Sequence, residues 1–219
     1  MWLVDRPGEG RRIVKCWPLT PLRAIKMLVG LSQPQRQIRG ARRLAPTAIA
    51  TPRPCGSWRL SRRDLMPTVV IELEYAPGET AWAMLNDETL GEAVRRRAAR
   101  AVGSLVAEFR RARLFNRDLK LTNLIVQWAG DEPVVRVIDP VGVRRMRDSV
   151  LQTERMLERL AVLPLYHRLP LSRGMVMAAV RSALTGLPSA KRRAVLRRLR
   201  SHLKRQSDRW HRASDADRR

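Results

Sequence analysis

Residues 114–145 read LFNRDLKLTNLIVQWAGDEPVVRVIDPVGVRR, and this stretch gathers the side chains best suited to chemistry: Asp118, Lys120, Asn123 and Asp139. One carboxylate plus one amide oxygen suits Mg²⁺, which takes few protein ligands and keeps its other positions for water and phosphate oxygens. A second carboxylate nearby can accept the proton of a substrate hydroxyl. An ammonium two residues further on can reach a phosphoryl group in transit. Asn123 with one of the two aspartates suits the first role, the other aspartate the second and Lys120 the third. These are the parts of phosphoryl transfer, in which a protein contributes mainly positioning and neutralisation of charge. Taken singly, each has a blander explanation as a turn aspartate, a capping asparagine or a strand-end aspartate. Their joint spacing favours the chemical reading.

The elements around them supply the positioning. LTNLIVQW and PVVRVID are predicted strands joined by the turn AGDE. Asn123 stands at the entrance to the first and Asp139 at the exit of the second, and antiparallel pairing sets such ends side by side. Asp118 precedes the hairpin by a short loop. Upstream, WLV (2–4) and RIVKCW (12–17) are expected to pair as a hairpin across DRPGEG. Residues 21–44 have a helical pattern broken at QPQ, and ATPRPCG ends any helix there. TVVIELEY (68–75) is a β-branched strand stopped by APG. Val94, Ala98, Ala101, Val102, Leu105, Val106 and Phe109 then recur at helical spacing. Beyond Arg145 the chain is helical again, broken at LPLYHRLPLSRG, with a last helix over about 188–206. The expected organisation is a small β-rich lobe (1–76), a mainly helical lobe carrying the hairpin (77–206) and a basic, disordered tail (207–219).

Lys and Arg outnumber Asp and Glu by 44 to 20, a formal charge of +24, while 44% of residues are hydrophobic. A folded core is therefore affordable, and the partner should be anionic: a phosphorylated or acidic saccharide, an acidic membrane face, or nucleic acid. No nucleic-acid motif accompanies the charge, which ranks that partner last. Cys16 and Cys55 fit free thiols in a reducing compartment. His167, His202 and His211 lack ligand spacing. The N-terminal residues do not resemble a signal peptide, and no apolar run nears the roughly 20 residues that span a bilayer. A cytoplasmic chain is expected, with peripheral contact to an anionic membrane face. RRRAAR (95–100) and KRRAVLRRLRSHLKR (191–205) would serve that contact, the latter with Leu196, Leu199 and Leu203 as an apolar stripe.

NRDLKLTN (116–123) resembles the protein-kinase catalytic loop His-Arg-Asp-Leu-x-x-x-Asn, with Asn116 in place of histidine. VIDPVGVRR (137–145) resembles the metal-binding segment that follows it. The likeness is nearest to the lipopolysaccharide kinase family, which includes Kdo kinases and heptose kinases; AIATPRP (48–54) is similar to that family's small-lobe proline segment. The resemblance implies an α+β, two-lobed protein-kinase-like fold with a truncated β-rich N-lobe. It also implies ATP and Mg²⁺ as cofactors and a sugar hydroxyl of a lipopolysaccharide-core saccharide as acceptor. Asp118 would be the catalytic base, and Asn123 and Asp139 the metal ligands. Lys15 would pair with the nucleotide phosphates, Leu73 would be the gatekeeper, and the backbone of Glu74 and Ala76 would hold adenine. Fourteen residues precede Lys15, so the first strand and glycine-rich loop of that fold are expected to be missing. Gln37 stands near the position of the family's helix glutamate and reads as a solvated residue. Pro140 and Val141 replace the Leu-Asp of the family's segment. Those departures keep a second reading open, a pseudokinase that uses the same fold as a scaffold. A protein Ser/Thr kinase ranks lower, because about 75 residues after the Asp139 segment leave little room for a peptide-docking subdomain.

Overall fold

The computed structural model describes residues 1–8, 10–62, 65–167, 169 and 171–216, with backbone alone at 60–62, 65–66 and 206–216. The chain divides into two compact units: Met1–Pro77 with Arg136–Gly142, and Gly78–Val135 with Val143–Arg219. The first break falls one residue beyond the boundary read from sequence. Residues 136–142, which sequence assigned to the helical lobe, cluster with the first unit.

In the first unit, strands β1 (Trp2–Arg6), β2 (Gly10–Pro18), β3 (Pro54–Arg62) and β4 (Leu65–Glu74) form an antiparallel sheet in the order β1-β2-β4-β3. The expected N-terminal hairpin is present, with Trp2 opposite Val14 and Arg6 opposite Gly10. β4 lies inside the sheet, which is why Val69, Val70, Ile71 and Leu73 are all buried. β3 escaped the sequence reading because ATPRPCG signals only the end of a helix. Its proline is tolerated because β3 is an edge strand, with an irregular register between Pro54 and Gly56.

Helices α1 (Pro21–Leu28) and α2 (Gln33–Leu44) replace the single interrupted helix expected there. The break lies at residues 29–32 rather than at QPQ. Pro34 instead occupies the first turn of α2, where a missing N–H costs nothing. Pro34, Gln37, Gly40, Ala41 and Leu44 make the buried stripe of α2. That stripe packs on β4 and on the 3-10 turn Pro140–Gly142.

The second unit is mainly helical: α3 (Ala81–Asn86), α4 (Glu92–Arg111), α5 (Ser149–Tyr166), α6 (Arg173–Ala183) and α7 (Ser189–Ala216). α4 buries the predicted stripe, from Ala98 through Val102, Leu105 and Val106 to Phe109. It meets α6 closely at Gly103, where a Cβ would fall 2.0 Å from the Ala179 carbonyl oxygen. Short strands β5 (Glu79–Thr80), β7 (Leu124–Ala129) and β8 (Glu132–Val137) form one sheet in the order β5-β7-β8; β6 (Leu114–Asn116) pairs with β9 (Val143–Arg145). Gly78, at φ 113, begins this unit, and a side chain there would strike the Val126 carbonyl.

α7 corrects two expectations. It runs as helix to Ala216, so the tail read as disordered from 207 has helical backbone that far; residues 217–219 lie outside the described residues. Its leucine stripe is not a free surface. Val195 and Leu199 are buried, and Leu199 and Leu203 help line an apolar cavity of about 280 Å³ with Leu157, Leu160, Met175 and Val180. On the flank of that packing, His202 Nδ1 lies 3.2 Å from Glu158 Oε2 and 3.6 Å from the buried Glu154.

Candidate functional site

Lys15 lies in the middle of β2, opposite Ile71. Its ammonium donates a long 3.4 Å hydrogen bond to the Ile138 carbonyl. Burial pushes its pKa below the ordinary lysine value, an effect partly offset by the Asp139 carboxylate beside it. The same carbonyl accepts a 3.4 Å bond from the Gln37 side-chain amide. Gln37 is 2% exposed, which corrects its reading as a solvated residue. Its place in the i, i+3, i+4 series of α2 was the signal that could have put it inside.

The segment carrying Asp139 is held tightly within the first unit. Val137 N–H donates to Ala50 O at 2.9 Å, and Thr51 Oγ1 donates to Val137 O at 2.7 Å. Arg36 donates to Val141 O at 3.3 Å. Pro140, which departs from the family's sequence, seats against Gly40 of α2. Held in this way, Asp139 keeps a buried Oδ1 that accepts no hydrogen bond among the described residues. A buried carboxylate oxygen is costly to leave so, and a cation is the partner its chemistry fits.

Leu73 is buried in β4 between Ile13 and Pro54. Glu74 N–H donates to Arg53 O at 3.0 Å, and Tyr75 N–H to Arg11 O at 3.3 Å. The ladder thus ends at Tyr75. Ala76 is buried just beyond, and its N–H donates to no backbone carbonyl among the described residues.

In the second unit, Asp118, Lys120 and Asn123 form one compact loop after β6. Asn116, fully buried at the end of β6, accepts the Asp118 N–H on its Oδ1 at 3.0 Å. Asn123 closes the 3-10 turn Leu121–Asn123 and donates its amide to the Asp118 carbonyl at 3.1 Å. With its NH₂ committed there, Asn123 has Oδ1 as the atom a metal could use. Lys120 Nζ sits 3.0 Å from Asp118 Oδ1, with both side chains about 40% exposed. Such a pair contributes at most about 1 kcal/mol to stability, but it orients the carboxylate. Leu119, Leu121 and Leu124 anchor the loop from below, all buried. Sequence reading treated Asn116 only as a substitution for histidine. Its bond shows a short amide doing the bracing.

Each unit therefore assembles its own part of the predicted set: Lys15 with Asp139 in the first, Asp118 with Lys120 and Asn123 in the second. Among the described residues, no three His, Cys, Asp or Glu side chains gather as a metal centre. Nor is any helix among them long and apolar enough to cross a membrane.

No protein-family model matches the sequence, and no curated protein matches it. Among solved structures, the chain is similar to WaaP in complex with acyl carrier protein. The TM-score is 0.64 at 17% identity, over 95% of this chain and 83% of that one. At that identity the likeness is one of fold, and the α+β class expected from sequence is the one shared with that structure.

Proposed function

We propose that the chain is an ATP- and Mg²⁺-dependent kinase that phosphorylates a sugar hydroxyl on a lipopolysaccharide-core or related lipid-linked saccharide. The observation that carries this reading is the buried, unpartnered Oδ1 of Asp139 beside a desolvated lysine. A buried carboxylate oxygen with no hydrogen bond, next to a desolvated ammonium, fits a place for a cation and phosphate oxygens. The braced Asp118 loop and the fold shared with WaaP add support.

Asp139 and Asn123 would hold the metal, which when bound neutralises phosphate charge. Asp118 accepts the proton of the sugar hydroxyl and orients it for attack. Lys15 and Lys120 offset phosphate charge, and burial makes the Lys15 charge act through a poorly screened medium. The Leu73 side chain walls the adenine site, while the backbone of Glu74 and Ala76 offers it hydrogen bonds. The excess of basic residues suits an anionic glycolipid acceptor. WaaP's complex makes an acyl carrier protein a second partner to try by calorimetry.

Asp118→Asn keeps the loop's backbone bonds and removes the base. Phosphate transfer from ATP to isolated lipid A and core saccharides should fall about 10²–10⁴-fold with the fold intact. Unchanged turnover would remove Asp118 from the chemistry. The amide of Gln37, standing where the family has a carboxylate, favours a second reading as a scaffold pseudokinase. Mg-ATP at 100 times its dissociation constant should stabilise an enzyme by about 2.7 kcal/mol; no shift at millimolar Mg-ATP selects the scaffold.

A further inference from the structure

Helix α1 is built against the usual logic of a soluble helix. None of its residues is buried, and Leu22, Ile25 and Leu28 with the C-cap residue Val29 are 61%, 59%, 87% and 63% exposed. At 100° per residue these four side chains span about one third of the helix circumference. Leu31, also exposed, continues the patch. Scattered exposed leucines need no explanation, but a continuous stripe on a helix with no core-facing side does.

Its surroundings are one-sided in charge. Residues 11–63 contain thirteen Lys or Arg and no Asp or Glu. Arg23 and Lys26 flank the stripe on α1 itself, and Arg39 and Arg42 follow on α2. None of these four pairs with a carboxylate among the described residues. A second copy of the chain would bring like charge against like charge. A convex helix face offers no groove to a shape-complementary protein. A lipid surface needs no such groove: it takes a convex apolar stripe among acyl chains and meets the flanking cations with its head groups.

We infer that α1 is a membrane-docking element that lies in the plane of an anionic lipid surface, with Leu22, Ile25, Leu28 and Val29 inserted and Arg23 and Lys26 at the head groups. This transfers the docking role from α7, whose leucines are packed in the core, to a helix whose apolar side has no protein partner. It stands independently of the proposed phosphoryl transfer, since it requires no nucleotide and no acceptor.

The full chain is tested by flotation with phosphatidylcholine vesicles, with and without phosphatidylglycerol. Wild type should float with the anionic vesicles and much less with the neutral ones. The triple variant L22S/I25S/L28S should lower the partition coefficient about a hundredfold or more. R23E/K26E should lower it at least tenfold on anionic vesicles, at about fivefold per lost cation. Leu196→Ser, on the exposed side of α7, should leave it unchanged. Docking through α1 is refuted if wild type stays with the soluble fraction, or if both α1 variants float as wild type does. It is equally refuted if the serine variant changes only the sedimentation-equilibrium mass, which would make the stripe a self-association face. Should the serine variant melt early, R23E/K26E decides alone.

Discussion

Replacing Gly40 by alanine sets two physical effects against each other. Gly40 lies in the interior of α2, and helix propensity alone predicts a gain of about 1 kcal/mol for Gly→Ala. The added Cβ, however, would sit 2.0 Å from the Pro140 carbonyl oxygen, 2.7 Å from its carbon and 3.0 Å from the Pro140 Cβ. Reaching ordinary contact at about 3.4 Å requires backbone to separate by about 1.4 Å, and overpacking of that size costs about 2–3 kcal/mol, the upper part of the usual range. Packing should win, with a net loss of about 1–2 kcal/mol. In urea that is a midpoint lowered by roughly 0.5–1 M, for m of about 2 kcal/mol per molar. Because Pro140 follows Asp139 directly, the displaced turn should also weaken the Mg-ATP stabilisation that the proposed function requires. Gly91→Ala serves as the control for packing, since nothing lies within 4 Å of the added methyl; as the N-cap of α4 it should lose only the capping preference, under about 1 kcal/mol. A raised midpoint for Gly40→Ala would refute the close packing of α2 on this turn, and with it the account of why Asp139 is rigidly held.

Three further outcomes follow from named contacts. Burial lowers the Lys15 pKa, so between that depressed value and 10.5 the unfolded chain binds more protons and stability should rise with pH. Lys15→Met should lose this alkaline rise; parallel stability profiles for the two proteins would contradict it. Asn116→Ala removes the acceptor of the Asp118 N–H in a half-buried loop and should cost about 0.5–1.5 kcal/mol, with kcat falling more than KM changes; an unchanged melting curve would argue against the brace. Leu199→Ala should cost about 2–5 kcal/mol in a denaturant titration, because Leu199 is buried among α7's partners. A side chain reserved for a membrane surface would show almost no loss.

The residues of the Asp118 loop were legible as a group because their spacing is local. Asp118, Lys120 and Asn123 fall within six positions, and their mutual bonds are made inside a single loop. The long stripe of α4 and the hydrophobic run of β4 were legible for the same reason, as periodicity survives without tertiary context. Prolines were the main source of error. Pro34 read as a break and is a helix start, while Pro54 read only as a helix end and opens an edge strand. In both cases a proline's tolerance depends on whether its missing N–H was needed, which only the pairing reveals.

By itself the sequence determined the chemical inventory: which acids, amides and lysines exist, their order, and an overwhelming positive charge that calls for an anionic partner. Only tertiary structure decided which apolar stripe is core and which is surface. The leucines of α7 and those of α1 look alike on a helical projection, but α7 packs against α5 and α1 packs against nothing that buries it. The same holds for Gln37, whose polarity suggested solvent until α2 turned it onto the Ile138 carbonyl. Amphipathic spacing marks a face of a helix, but burial is a property of whatever meets that face, and the chain's own fold supplies that partner or withholds it.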